Sequence, residues 1–310
     1  MLLNRDVFLV DPTSRSIPND GVAKVVDPRT PEEWAVLRYE LSSFVCDGAY
    51  KQGMEDVLSG FLANLDQPTQ PAAWVYGFYG SGKSHFVRVL EYLWRDVRFD
   101  DGATARGLAN LPTEVSDLLK ELVTRGKQSG GLWSAAGTLS AGAGSVRLGL
   151  LAILFRSAGL PEQYPAARFV LWLKRENLYD AVRTGVEGKG RDFAKELNNM
   201  YVSPHLAGSL LTTYPGFAAN EAEARSLLKT QYPVLADITD EQFLDTAQDV
   251  LALQATTPGK LPCTLVVFDE LQQFIGEDAG RALNVQTIVE ACCSRFGSRL
   301  LFVGTGQSAI

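Results

Sequence analysis

The sequence predicts an α/β fold in which helices cover a parallel sheet and a long helical stretch separates the early strand from the late ones. An apolar run over residues 72–76 is followed by a glycine-rich loop and an amphipathic helix over residues 84–95. A second apolar run at 264–268 ends in two acidic residues, and a third at 299–303 ends in polar ones. Strands that alternate with helices favour parallel pairing with helices on both faces.

The bulk composition is that of a globular protein. The chain has 310 residues, of which 46% are hydrophobic and 21% are charged. No run approaches the roughly 18 apolar residues that a membrane helix needs, and the N-terminus, with Asp6 and Asp11, does not have the pattern of a signal peptide. We therefore expect a cytoplasmic protein with no membrane partner. The four cysteines have no metal-ligand spacing and are expected to be reduced core thiols.

The net charge and the histidine content argue against two further classes of function. The net charge of −7 does not support a whole-domain grip on DNA, although a local basic patch can exist. The chain has only two histidines, His85 and His205, and neither is paired with a nucleophile or metal pattern. Hydrolytic chemistries that depend on histidine therefore have little support.

Residues 1–71 are predicted to form a lead-in to the sheet. Thr30 is placed as the N-cap of a helix that starts at Pro31, and Gly53 is expected to break the chain before a second helix. The predicted strands and helices of this region are Val7–Val10, Val22–Val26, 31–45 and Met54–Leu65.

Residues 72–159 are predicted to be the first part of the core, 160–262 a helical insertion, and 263–310 the second part. Helical periodicity and apolar runs define the elements. In the first part, after the helix at 84–95, we expect a loop at 96–110, a helix at 113–124, a strand at 131–140 and a helix at 146–155. The insertion is expected to hold helices at 166–179, 190–200, 219–230 and 240–253, and the second part a helix at 279–296.

The loop between the first strand and its helix carries the chemistry. Gly77–Ser84 is a complete G-x-x-x-x-G-K-[ST] sequence, the Walker A pattern of phosphate-binding loops. Its glycines let backbone N–H groups wrap a phosphate, Lys83 can reach the β- and γ-phosphates, and the Ser84 hydroxyl can ligate Mg²⁺. The alternative is a glycine-rich turn without a ligand. The residues predicted to contact ATP are Gly77, Tyr79, Gly80, Ser81, Gly82, Lys83, Ser84, His85 and Thr305.

The acidic pair Asp269-Glu270 supplies the second half of the predicted site. TLVVFDE has the form of a Walker B strand, which places Asp269 at the edge where open α/β sheets bind ligands. Asp269 is predicted to hold Mg²⁺ through water, and Glu270 is predicted to polarise the attacking water. Glu270 and Lys83 are the predicted catalytic residues. Two solvated acids at a strand end are the alternative. Thr305 and Gln307 are candidates either for sensing the γ-phosphate or for ordinary loop polarity.

These motifs and their order predict a P-loop NTPase with an AAA+-like three-layer core. ATPases of that kind take an arginine from a neighbouring subunit and another from a C-terminal lid, and the chain ends before either. A fifth strand is also missing. We expect the chain to be the N-terminal part of a longer polypeptide that forms a homo-oligomer, so the isolated chain should bind ATP better than it hydrolyses it.

Several segments beyond the loop resemble one family. GFYGSGKSHFVRVLEYLW, RFVLWLKRENLYDAV, GRDFAKELNNMYVSPHLA, TLVVFDELQQFIG and the opening RDVFLVDPTSRSIPNDGVAKVVD are similar to the large P-loop protein of BREX (bacteriophage exclusion) systems, the BrxC/PglY type. The resemblance covers essentially the whole chain, and members of that family are much longer.

The resemblance implies a bacterial cytoplasmic ATPase that works with a methyltransferase and other defence proteins to block phage replication. The family's nucleotide-site residues fall here on Gly77, Gly82, Lys83, Ser84 and the Asp269-Glu270 pair. Composition and spacing do not point to phage defence, which rests on the resemblance alone.

Other functions stay open on the sequence. One is an assembly platform that ATP stabilises with negligible turnover, and another is an AAA+-like ATPase outside phage defence. A nucleotide kinase is disfavoured, because the Walker B strand comes late and carries a glutamate after the aspartate.

Overall fold

The protein is an α/β structure built on one parallel sheet of four strands. The computed structural model describes residues 25–65, 67–139 and 145–308. The strands are β1 (Ala73–Tyr76), β2 (Leu132–Thr138), β3 (Cys263–Asp269) and β4 (Leu300–Gly306). They lie in the order β1-β4-β3-β2, and every neighbouring pair is parallel. The predicted α/β class and parallel sheet are confirmed, and the carboxyl ends of all four strands lie at one edge.

Helices cover both faces of the sheet. Successive strand residues point to opposite faces, and the inner strand β3 carries apolar side chains on both faces, which must both be shielded from water. Leu265 and Val267 belong to the hydrophobic cluster on one face, whereas Val266 and Phe268 belong to the cluster on the other. The sheet therefore lies between two hydrophobic layers.

Fourteen α-helices are assigned in the described ranges. Before the insertion they are α1 (Pro31–Ser43), α2 (Gly48–Asn64), α3 (Lys83–Arg95), α4 (Ala105–Leu108), α5 (Thr113–Gln128) and α6 (Val146–Ser157). The insertion contains α7 (Tyr164–Arg175), α8 (Tyr179–Glu187), α9 (Phe193–Asn198), α10 (Pro204–Thr213), α11 (Glu221–Gln231) and α12 (Asp240–Gln254). The last two are α13 (Leu271–Ile275) and α14 (Ala279–Phe296). No helix of the described ranges is both long and apolar enough to cross a bilayer.

The lead-in follows its predicted pattern with one correction. Thr30 caps α1, with Glu33 completing a capping box as the sequence suggests. The start predicted for the second helix is wrong, because α2 begins at Gly48 behind the N-cap Asp47 and runs through Gly53. A Cβ on Gly53 would lie 3.3 Å from the Phe86 ring, so this glycine lets α2 approach α3 closely. The strand predicted at Val7–Val10, and most of the one at 22–26, lie outside the described residues.

The insertion is helical, as predicted, but its helices are shorter and more numerous. The helix predicted over 166–179 ends earlier than expected: α7 stops at Arg175, Asn177 takes a left-handed conformation (φ 58°), and α8 begins at Tyr179. Helix α10 lies in a stretch with no predicted element, while α12 begins behind Thr239 with the expected cap. The buried side chains of these helices join the cluster under α6 and α14 in one continuous core.

After β3 the chain departs from the prediction at two points. The short helix α13 follows Glu270 directly, where no helix was expected. The last strand is longer than the predicted run, because β4 continues through Gly304, Thr305 and Gly306. Glycine at 304 and 306 lets this strand end pack tightly, since a Cβ at either position would lie under 3.0 Å from the Trp74 ring.

A buried ionic cluster joins α3 to the lead-in and to β2. Glu91 is only 2% exposed, and its Oε1 accepts hydrogen bonds from Ser134 Oγ and Arg95 Nη2, both at 3.1 Å. Arg95 Nη2 also donates to Asp27 Oδ1 at 2.6 Å. Burial raises the pKa of Glu91 to about 7, although the positive charge of Arg95 acts in the opposite direction.

The raised pKa of Glu91 predicts that this residue contributes more to stability at mildly acidic pH, where it is protonated, than at higher pH. Because the folded-state pKa of about 7 lies above the usual 4.5, the native state holds the proton more tightly, and stability falls as pH rises between these values. We expect Glu91→Gln to remove most of this fall, which should be on the order of 1–3 kcal/mol. Urea unfolding at pH 5 to 8 measures it.

The matched control is Glu121→Gln, the same change at an exposed position on α5. It should leave the pH dependence as in the wild type. A Glu91→Gln protein that loses stability with pH as steeply as the wild type would show that Glu91 is ionised throughout this range.

Candidate active site

A cleft of about 270 Å³ opens at the edge of the sheet where the strands end. Three segments of the chain meet there: the glycine-rich loop after β1, the end of β3 with the start of α13, and the end of β4. The lining residues are Tyr79, Gly80, Gly82, Lys83, Ser84, His85, Asp269, Glu270, Gln272, Gln273, Thr305, Gly306 and Gln307.

The loop keeps its shape through two glycines with left-handed backbone. Gly80 and Gly82 have φ of 79° and 81°, a region that side chains rarely adopt. Gly82 is also packed under Tyr50, because a Cβ there would lie 2.3 Å from the Tyr50 hydroxyl. That hydroxyl donates to the Ser81 carbonyl at 2.6 Å, so α2 supports the loop from below.

The loop and the start of α3 present positive charge to the cleft. Gly82 is the N-cap of α3, and no side-chain hydrogen bond caps the first N–H groups of this helix. The Lys83 ammonium donates to the carbonyl oxygens of Gly77 at 2.8 Å and Phe78 at 3.0 Å. Backbone N–H groups, a helix N-terminus and an ammonium in one place form an anion-binding arrangement.

The Asp269 carboxylate joins the loop to the two late strands. It is 6% exposed, and its Oδ1 accepts a hydrogen bond from Ser84 Oγ at 3.2 Å and one from Thr305 Oγ1 at 2.7 Å. The Thr305 hydroxyl, itself buried, also accepts from the backbone N–H of Glu270 at 2.8 Å. Since β4 lies between β1 and β3, Thr305 occupies the gap between the loop and the acidic pair.

Glu270 is held by its backbone and not by its side chain. It takes a left-handed conformation (φ 57°), which is rare for a residue other than glycine or asparagine. The residue is exposed, and within the described ranges no hydrogen bond or ion pair is recorded for its carboxylate. The turn therefore presents the carboxylate at the mouth of the cleft, where it can accept a proton.

The oxygen ligands of the cleft suit a small hard cation. Among the residues that the structure describes, no group of three or more His, Cys, Asp and Glu side chains could hold a metal. Ser84 and Asp269 provide one hydroxyl and one carboxylate close together. Mg²⁺ commonly binds with one or two protein ligands and completes its shell with water and phosphate oxygens, so this pair fits it.

Most of the predicted site residues line the cleft, and three of them have surroundings that differ from the prediction. Gly77 and Ser81 line a neighbouring groove of about 660 Å³ along β1 instead of the cleft. His85 borders the cleft, but its Nε2 lies 3.4 Å from the Glu40 carbonyl and its ring packs edge-on against Phe44. Its position therefore ties α3 to the lead-in.

The aromatic pair of the loop is exposed. Phe78 and Tyr79 each have 87% of their surface accessible, so neither side chain packs in the interior. Tyr79 borders the cleft and Phe78 the neighbouring groove.

Two residues at the site have no local sequence signal. Tyr50 reaches the loop from α2, and Gln272 reaches the end of β4 from α13. Both contacts join segments that are distant in sequence, and neither residue belongs to a recognisable motif. Only the three-dimensional arrangement identifies them.

Comparison with known proteins does not assign the chain to a family. No family model matches the chain, and neither the curated proteins nor the solved structures contain a significant match.

The buried hydroxyl of Thr305 predicts a stability effect at the centre of the site. Thr305→Val keeps the shape but leaves the Asp269 carboxylate and the Glu270 N–H without this partner. Leaving buried polar groups unpaired costs about 1–3 kcal/mol each, so we expect a loss of roughly that size or more in urea unfolding.

Thr264→Val is the control, because Thr264 is equally buried but its hydroxyl donates only to the Pro262 carbonyl, at the opposite end of β3. It should cost less. Equal losses in the two variants would mean that Thr305 has no special place in the site.

Proposed function

We propose that the protein binds and hydrolyses ATP as a P-loop NTPase with an AAA+-like core. The observation that carries this proposal is the contact between Ser84 and Asp269, which brings the end of a Walker A loop to the end of a Walker B strand. A glycine-rich turn or a pair of solvated acids would explain either motif alone. Neither explains why the two meet in one cleft with a buried threonine between them.

In this proposal each group has a defined task. The N–H groups of the loop and the Lys83 ammonium bind the phosphates, and Ser84 and Asp269 hold Mg²⁺. Bound Mg²⁺ would supply neutralisation of the charge on the phosphates. Glu270 orients the attacking water and accepts its proton, while the water oxygen bonds to the γ-phosphorus and the bond between that phosphorus and the leaving oxygen of ADP breaks.

A second candidate is an assembly platform that ATP stabilises without rapid turnover. One observation favours it: among the described residues, those that line the cleft include no arginine, and their basic side chains are those of Lys83 and His85. Phosphoryl transfer in this class often requires an arginine to stabilise the developing charge. ATP turnover by the oligomer distinguishes the two candidates.

The proposed setting is a BREX-type phage defence system in the bacterial cytoplasm, with a methyltransferase and associated proteins as partners. The similarity of the loop, insertion and Walker B segments to that family supports it. Plating of phage on cells that carry a Lys83→Ala protein tests the setting. Unchanged restriction of phage growth would count against it.

Lys83→Ala should abolish ATP binding. The ammonium is fixed over the loop by two carbonyl contacts, and its loss removes the side-chain charge aimed at the phosphates. We expect the affinity for ATP, measured by calorimetry with Mg²⁺ present, to fall at least about a hundredfold, the size of a lost charged contact. Lys51→Ala, outside the cleft, is the control, and equal affinities for the two variants would contradict the site.

Glu270→Gln should separate binding from hydrolysis. The amide keeps the size of the side chain but accepts no proton, so single-turnover release of phosphate should slow by about a hundredfold or more. The affinity for ATP should stay within about threefold of the wild type, because Glu270 holds neither phosphate nor metal in this arrangement. A variant that hydrolyses ATP at the wild-type rate would remove hydrolysis from the proposal.

A further inference from the structure

The side chain of Gln272 attaches the short helix α13 to the end of β4. Its Oε1 accepts hydrogen bonds from the backbone N–H groups of Gln307 and Ser308, the latter at 3.1 Å. Its Nε2 donates to the Ser308 hydroxyl at 2.7 Å. The two N–H groups lie beyond the last paired residue of β4, so the glutamine amide takes the place of a neighbouring strand.

Close packing on the other side fixes the same segment. The Trp74 indole N–H donates to the Ser308 carbonyl at 3.0 Å. Gly306 makes room for both partners, because a Cβ there would lie 2.4 Å from the Trp74 ring and 2.8 Å from Gln272 Oε1. The end of β4 is therefore held between β1 and α13.

The position of Glu270 depends on this attachment. Glu270 is the N-cap of α13, its carbonyl accepts hydrogen bonds from the N–H groups of Gln273 and Phe274, and its own N–H is held by Thr305. Gln272 is two residues further along the same turn. Two contacts to β4, one through Thr305 and one through Gln272, thus fix the left-handed turn that presents the Glu270 carboxylate.

We propose that Gln272 is a positioning residue for hydrolysis: it anchors α13 to the end of β4 and so holds the Glu270 carboxylate at its place in the cleft. The inference rests on the proposed function of this site. It predicts that loss of the Gln272 side chain lowers the rate of hydrolysis and leaves ATP binding almost unchanged.

The experiment compares Gln272→Ala, Gln272→Glu and Glu270→Gln with the wild type in single-turnover ATP hydrolysis, ATP affinity and thermal stability. Misplacement of a catalytic group by about 1 Å can cost about a hundredfold, so hydrolysis by Gln272→Ala should fall at least about tenfold while its affinity for ATP changes less than about threefold. Gln272→Glu keeps an oxygen that accepts from the two N–H groups, and it should retain a larger share of the rate.

The control is Gln286→Ala, the same change on α14, where the amide donates only to Glu290 at 2.8 Å and lies outside the cleft. It should hydrolyse ATP at the wild-type rate.

Three results would overturn the inference. A wild-type rate in Gln272→Ala, with Glu270→Gln inactive, would refute it and leave the proposed function standing. Parallel losses of binding, rate and melting temperature would show that Gln272 only maintains the fold. A Glu270→Gln protein as active as the wild type would remove the proposed hydrolytic role of Glu270, and this inference with it.

Discussion

The two hydrogen bonds that Asp269 accepts hold the functional end of this molecule together. Ser84 lies in the first turn of α3, Asp269 ends β3 and Thr305 lies near the end of β4. One carboxylate oxygen therefore connects three segments that are distant in the sequence. Because these donors and the acceptor are largely shielded from water, the bonds are worth more than they would be at the surface, and an unpaired partner would be costly.

The order of the strands is what makes this arrangement possible. Placing β4 between β1 and β3 leaves a strand's width between the loop and the acidic pair, and Thr305 fills that space. It also brings the end of β4 beside Trp74 on one side and α13 on the other. The cleft is therefore shaped by three strand ends at once, whereas a sheet with β1 beside β3 would have put the loop directly against Asp269.

The local sequence pattern predicted the strands, the loop and most helices, because apolar runs, capping residues and glycines determine the backbone conformation of the residues next to them. The prediction failed where tertiary contact decides. Helix α2 continues through Gly53 because that glycine packs on Phe86, and α13 is too short to show a periodicity. At the site, the loop and the acidic pair were predicted from their motifs as the two halves of one site. The two hydrogen bonds of Thr305 and the reach of Tyr50 and Gln272 depend on the assembled sheet, so no pattern in the sequence could reveal them.

The insertion rejoins the sheet at the edge opposite the cleft. Its return is fixed at the far end of the sheet, where the Gly130 N–H donates to the Leu261 carbonyl and the Cys263 N–H donates to the Gly131 carbonyl, both at 2.9 Å. Asp269 lies at the other end of the same strand. Changes where the insertion rejoins the sheet are therefore expected to act first on the start of β3, at the edge opposite the cleft.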